Sequence, residues 1–251
     1  MQVKISAVII TFNEEKNIGR CLESLKDIAD EIVVVDSFSE DRTKEICELQ
    51  GAKFITHKFE GHIQQKNWAI TQASNKVVLS LDADEALSDN LKSSILEVKN
   101  NWNAEGYSFN RMTNYCGKWI KHGLWYPDVK LRMWDSSKGK WGGKNPHDTY
   151  MLEKNAIKKH LKGDLLHYSY YSIEEHQLQA DKFAKIAAGA YHEAGKKSSI
   201  FKVIFSPISR FLSSYVFNRG FLDGKAGWTI ALISYKETKQ KYKLLRDLQK
   251  S

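Results

Sequence analysis

The run Val77-Val78-Leu79-Ser80-Leu81 stops on Asp82-Ala83-Asp84-Glu85, and this break constrains the chain more than any other feature. A continuous apolar run of strand length reads as a strand covered on both faces, and such an interior does not accept bare carboxylates. Asp82 and Asp84 therefore mark the place where the chain leaves the sheet, at the carboxyl end of a strand. Open α/β sheets bind their ligands along that edge. Two carboxylates there suit a divalent cation, which completes a sparse protein shell with phosphate oxygens. They equally suit a solvated turn that ends a strand, because Asp-x-Asp is a short pattern.

The surrounding sequence decides what kind of sheet this is. Strand-like runs at 5–11, 31–36, 53–57 and 76–81 alternate with amphipathic stretches at 14–26, 41–50, 62–73 and 88–100. Short apolar strands separated by short helices are βαβ units, and they predict an α/β fold with a mostly parallel central sheet flanked by helices. Ser88 is placed as a helix N-cap and Gly51 as the residue closing the second helix. From 105 to 167 the texture changes to glycine, tryptophan and short β-like pieces at 106–112, 118–120, 129–134, 149–152 and 165–168. These extend the sheet with mixed or antiparallel strands, and their long loops suit a binding cleft. Trp119, Trp125, Trp134 and Trp141 are candidates for stacking on a ligand or for the core. After His167 the chain turns helical, with one helix over 173–194 and another capped by Ser206 with Pro207 at its first position. A last helix begins near Asp223. The expected division is a domain over 1–170 and a helical, basic-amphipathic extension over 171–251.

The formal charge of +8 is not spread evenly. Residues 196–251 carry 12 Lys and Arg against Asp223, Glu237 and Asp247, whereas the first 195 residues are nearly neutral. That localises a surface for an anionic partner. Aromatic and apolar residues beside Lys202, Arg210, Arg219 and Lys225 suit the inner-leaflet membrane surface, or else a helical pair packed on the core with a solvated basic side. Nucleic acid is not expected, since no nucleic-acid-binding motif is present. Cys21, Cys47 and Cys116 have no metal-like spacing. The N-terminus enters a strand directly, and no run reaches the ~18 apolar residues of a membrane span. The expectation is a cytoplasmic protein, peripheral on the inner face of the cytoplasmic membrane.

Right-handed crossovers bring the carboxyl ends of parallel strands to one rim. The ends here are Thr11-Phe12-Asn13-Glu14-Glu15, then Asp36-Ser37-Phe38-Ser39-Glu40-Asp41, then the Asp pair. No glycine follows the first strand until Gly19, and no P-loop pattern occurs, so glycine-rich phosphate binding is not expected and metal-mediated binding gains weight.

In order along the chain stand residues 8–18 (Val8-Ile9-Ile10-Thr11-Phe12-Asn13-Glu14-Glu15-Lys16-Asn17-Ile18), 36–43, Gln65-Lys66-Asn67-Trp68-Ala69 and Leu81-Asp82-Ala83-Asp84-Glu85. This series resembles the motifs of family 2 glycosyltransferases of the GT-A fold. Trp125-Tyr126-Pro127-Asp128, Leu131-Arg132-Met133, His147-Asp148, Leu166-His167-Tyr168-Ser169 and 220–224 extend it toward bacterial lipopolysaccharide-core β-glucosyltransferases. The resemblance implies an inverting, metal-dependent transferase that moves a hexose, glucose first, from a UDP-sugar donor to a glycan or glycolipid acceptor. It implies a nucleotide-binding half over 1–100 and an acceptor half over 101–170. Thr11, Asn13, Glu14, Asp36, Asp41, Gln65, Lys66, Asp82, Asp128 and Arg132 would bind substrate. Asp84, Asp82 and His167 would hold Mg²⁺ or Mn²⁺. Asp148 would be the catalytic base, with His147 beside it as the other candidate. Two positions depart from the pattern: Phe38 stands where glycine is usual, and Asp148 where glutamate is more common. A metal-dependent nucleotidyltransferase and a non-catalytic nucleotide-sugar-binding adaptor are the rival readings. His57, His122, His160, His176 and His192 carry no assigned role.

Overall fold

A computed structural model describes residues 2–144 and 147–250, without the side chains of Lys144 and His147. The elements run β1 (Ile5–Thr11), α1 (Ile18–Leu25), β2 (Glu31–Asp36), α2 (Thr43–Leu49), β3 (Lys53–Thr56), α3 (His62–Thr71), β4 (Val77–Asp82), β5 (Glu85–Leu87) and α4 (Asp89–Asn100). They continue with β6 (Gly106–Tyr115), β7 (Lys118–Trp119), β8 (Asp128–Asp135), β9 (Gly139–Lys144), β10 (His147–Leu152), β11 (Lys158–Tyr170), α5 (Ile173–Glu193), α6 (Ile200–Leu212) and α7 (Gly224–Leu248). Two compact units result. The first runs up to Arg111 and resumes over Asp128–Tyr168, and the second joins Met112–Pro127 to the chain from Ser169 onward.

The main sheet has the order β3-β2-β1-β4-β8-β6-β11-β5, with β7 paired to β6. Its first four strands are parallel, and β8 joins β4 in the antiparallel sense. The central parallel strands β1 and β4 are buried on both faces, as their apolar runs require, whereas the edge strand β3 is only partly covered. Ile5, Ala7, Ile9, Leu79 and Leu81 pack with Ile18, Leu22 and Leu25 of α1. Val8, Val33, Val35 and Val78 pack on the other side with Ala69, Trp134 and Trp141. Trp134 is therefore core. Strand register sets the rim: Thr11 lies beside Asp36, Asp36 beside Thr56, and Ile10 beside Asp82.

Ser88 caps α4 by accepting from the Leu91 amide. The expected cap at Ser206 is corrected, because α6 begins seven residues earlier, at Ile200 behind Ser199, and Pro207 lies inside the helix. Apolar residues at helical spacing on both sides of Pro207, including Phe201, Ile204, Phe205 and Ile208, carry the helix through it. Two strands were not expected. β5 is three residues long, and β9 is built from Gly-Lys-Trp-Gly-Gly-Lys, a composition poor in strand formers. β9 is held by antiparallel pairing with β10.

The second unit has its own small core of Tyr115, Ile120 and Ile230, with Trp125 and Tyr170 against it. The buried carboxylate of Asp223 accepts from the backbone amides of Lys121 and His122 and pairs with His122 Nδ1. Here the chain turns tightly: a Cβ on Gly227 would stand 1.9 Å from the carbonyl oxygen of Gly220.

Candidate active site

The loops after β1 and β2 fasten to each other. The Asn13 amide donates to Ser39 Oγ, Asn13 Oδ1 accepts from the Glu40 amide, the Glu14 amide donates to Thr43 Oγ1, and the Glu15 amide donates to Asp41 Oδ2. Asp36 is buried and closes its own turn, accepting from the amide and hydroxyl of Ser39 at 2.7 and 2.5 Å. Both Asn13 and Phe38 adopt left-handed backbone, with φ of 53° and 63°. The loop thus keeps the conformation a glycine would favour, with phenylalanine in it. Gln65 is buried on α3 and pairs with His57 Nδ1 at 2.8 Å while donating to Ser37 Oγ. His57 therefore braces a site residue. Among the described residues the buried hydroxyl of Thr11 has no hydrogen-bond partner.

These acids share one field. Burial raises the pKa of Glu14, and the charges of Asp84, Asp41 and Asp82 push the same way against the hydrogen bond from Asn17. Asp84 Oδ2 lies 3.1 Å from His167 Nε2, and the Tyr168 amide donates to the Asp84 carbonyl, which ties β11 to the Asp-x-Asp turn. A separation of this size is that of a hydrogen-bonded Asp–His pair, and a carboxylate and an imidazole are both groups that would serve as ligands of a divalent cation. Asp82 is placed differently. Its Oδ1 lies 2.9 Å from Lys66 Nζ and its Oδ2 lies 2.7 Å from Arg132 Nη2. Burial alone would raise the Asp82 pKa, but the two cations hold it well below the ordinary carboxylate range. Among the described residues no three His, Cys, Asp or Glu side chains converge as a metal cage. The donor set fits a cation held by Asp84 and His167, with substrate oxygens filling the rest of its shell and the crowded acids favouring its charge.

From Asp82 an ionic string runs through the site. Lys66 bridges Asp82 and Asp148, the latter at 2.8 Å. Arg132 bridges Asp82 and Glu85, each at 2.7 Å. Arg111 reaches Glu85 at 3.4 Å and Asp128 at 2.8 Å, and Asp128 also meets Lys130. Burial works to lower the Arg132 pKa, but Asp82 and Glu85 override it and raise it. For Asp128, Arg111 and Lys130 outweigh burial and lower the pKa. A cavity of about 400 Å³ opens over this string, lined by Lys66, Asp82, Arg111, Lys130, Arg132 and Asp148 among others. Trp141 forms part of its wall, with Lys66 Nζ 4.5 Å from the ring centre.

Lys66, Asp82, Arg132 and Asp148 thus meet in one cavity. Asp84 and His167 form a second cluster, and Thr11, Asn13, Glu14, Asp36, Asp41 and Gln65 form the β1–β2 rim. The side chain of His147, the other candidate base, lies outside the described residues. Sequence reasoning missed Glu85 and Arg111, whereas Trp141 is one of four tryptophans named for a ligand or for the core, and it lines the cavity. Glu85 stood in plain view beside the Asp pair, whereas Arg111 has no sequence signal.

A profile described as "Glycosyl transferase family 2" matches residues 6–163. An uncharacterized glycosyltransferase of Rickettsia typhi is 32% identical over 92% of this chain and 82% of its own. The lipopolysaccharide core biosynthesis glycosyltransferase LpsC of Rhizobium meliloti is 28% identical over 97% of this chain and 94% of its own. Among solved structures, glucosyl-3-phosphoglycerate synthase of Mycobacterium tuberculosis, in complex with Mn²⁺ and UDP, aligns with a TM-score of 0.37 at 19% identity, over 45% of this chain and 44% of that one.

Proposed function

The chain belongs to glycosyl transferase family 2, and on that footing we propose that it transfers a hexose, glucose first, from a UDP-sugar to a cell-envelope glycan such as lipopolysaccharide core, with inversion. The observation that carries this reading is the convergence in a single cavity of two buried cations, Lys66 and Arg132, with Asp82, which pairs with both, and a further carboxylate, Asp148. The cations suit a departing diphosphate, and the carboxylate suits an acceptor hydroxyl. The name of the LpsC relative supports lipopolysaccharide core as the acceptor class.

Sugar transfer from a nucleoside diphosphate passes through an oxocarbenium-like state, so positive charge grows at the sugar while negative charge grows on the leaving group. Lys66 and Arg132 release Asp82 in part and turn their N–H groups to the diphosphate oxygens. Asp148 Oδ takes the proton of the attacking hydroxyl. A single displacement inverts the anomeric carbon and needs no second carboxylate as nucleophile. Thr11, Asn13, Glu14, Asp36, Asp41 and Gln65 shape the nucleoside end, and Asp128 fixes Arg111 at the cavity wall. Asp84 and His167 would hold Mg²⁺ or Mn²⁺, which when bound supplies Lewis-acid stabilisation of the diphosphate. Residues 1–170 act as the catalytic domain and 171–251 as an extension, working in the cytoplasm at the inner face of the membrane.

The test is UDP release across a panel of nucleotide sugars, with and without EDTA. Turnover with a UDP-hexose is expected, lost with EDTA and in Asp84→Ala. Asp148→Asn should bind UDP as the parent does and transfer nothing. Binding without UDP release from any donor would leave an adaptor and end the enzyme reading.

A further inference from the structure

Helix α6 turns one broad apolar face to solvent, although Phe211 on its other side is half-buried against Trp228. On that face Phe201 is 64% exposed, Ile204 and Phe205 49% each, Ile208 41% and Leu212 39%. They recur at helical spacing, so they form one stripe, and the rings of Phe201 and Phe205 stack at 4.1 Å. The only buried residue of the helix is Pro207, with Val203 and Ser206 half-buried on the same side. A soluble amphipathic helix places its large apolar residues inward and its small and polar ones outward. The stripe continues past the helix through Phe217, which is 77% exposed, to Phe221 and Leu222. Patches of this extent mark an interaction site.

Charge identifies the partner. Between Glu193 and Asp223 the chain has no acid, but it carries Lys196, Lys197, Lys202, Arg210 and Arg219. An apolar stripe flanked by Lys202, Arg210 and Arg219, with Glu237 of α7 near Arg210, keeps an excess of cations and matches the boundary between acyl chains and anionic headgroups. Residues Ile200–Phe217 are long and apolar enough to cross a bilayer by length and composition, and only 11% of that window is buried. Three features argue for lying in the plane instead. The window carries Lys202 and Arg210; α6 packs along α7; and α7 bears Lys236, Glu237, Lys239, Lys241 and Lys243, which lipid would have to cover.

We propose that α6 and the turn after it, residues 200–222, dock in the plane of an anionic lipid bilayer, with Phe201, Phe205 and Phe217 inserted and Lys202, Arg210 and Arg219 among the headgroups. This deepens the membrane-surface part of the reading above and is independent of sugar transfer. The full chain, without donor, is sedimented with vesicles of phosphatidylcholine alone and with vesicles containing phosphatidylglycerol. Binding to the anionic vesicles is expected, weakened by salt and released at alkaline pH. Phe201→Ser with Phe205→Ser should weaken it roughly tenfold or more, while UDP release in solution stays at the parental rate. Lys202→Glu with Arg210→Glu should remove the preference for phosphatidylglycerol. Trp228, 48% exposed on α7, gives a fluorescence readout of shallow depth. Binding to neither vesicle overturns the proposal. So does a dimer in sedimentation velocity that the double serine variant abolishes, because a second copy would then cover the stripe. Resistance to alkaline extraction overturns the in-plane arrangement. Loss of UDP release with vesicle binding intact would count against the enzyme reading alone.

Discussion

Lys66 Nζ lies 2.8 Å from Asp148 Oδ2, and the same ammonium lies 2.9 Å from Asp82 Oδ1. One buried cation therefore ties the end of β4 to β10, and it neutralises two carboxylates that face one cavity. Removing it leaves those carboxylates to repel each other and any diphosphate. Lys66→Met is expected to weaken UDP binding by about 2 kcal/mol or more, the usual range for losing one partner of a charge-assisted contact. Lys66→Arg should recover part of that loss. Calorimetry with UDP checks this, and parental affinity in Lys66→Met would detach the lysine from the diphosphate.

Glu85 sets the other end of the string. Its side chain is fully buried, it accepts from the Asp82 amide at 2.9 Å, and it meets Arg132, itself 5% exposed, at 2.7 Å. Breaking a buried pair from one side typically costs about 3–5 kcal/mol, and because Arg132 keeps Asp82 as a partner the loss here falls at the lower end. Glu85→Ala is expected to lose stability on that scale in urea denaturation. Glu85→Gln should lose less, since its amide oxygen can still accept from Arg132, while its NH₂ group forfeits the bond from the Asp82 amide. Equal losses in the two variants would show that packing, not charge, governs the site.

Local rules made the parallel half of the fold legible. Apolar runs of strand length gave β1, β2, β3 and β4, and Ser88 announced α4 by capping chemistry. The rim followed, because register places Thr11, Asp36 and Asp82 near one edge once the strands are known. What stayed hidden depends on pairing between distant segments. β9 is glycine-rich and becomes a strand only through β10. Arg132 meets Asp82 across 50 residues and Lys66 meets Asp148 across 82, so the ionic string has no local signature. Pro207 misled for the opposite reason: Ser-Pro is a strong local start signal, and the apolar stripe on both sides of it overrides that signal.

Phe38 holds a φ of 63° with its side chain 59% exposed. For a non-glycine residue this backbone costs about 1–2 kcal/mol, and little packing offsets it here. Phe38→Gly relieves the strain but adds freedom to the unfolded chain, leaving a net gain of roughly 0.5–1 kcal/mol. In a chain of 251 residues that corresponds to a Tm rise of about 1–4 °C. An unchanged or lower Tm would mean that the aromatic ring contributes contacts of its own.

His176 sits among Tyr115, Trp125 and Tyr170, with Nδ1 3.1 Å from the Tyr115 hydroxyl. Burial lowers its pKa from 6.5 to about 4. In the unfolded chain the imidazole takes its proton near the ordinary value, so between those two pH values the unfolded state binds more protons than the folded one. Stability must then fall as pH drops from 6.5 and level off below about 4. Allowing for solvent screening, this one group accounts for about 2 kcal/mol across the window. Urea denaturation at stepped pH should show that slope in the parent and a shallower one in His176→Gln, which removes the titration and retains a polar partner for Tyr115. Identical slopes would place the pH dependence elsewhere in the chain.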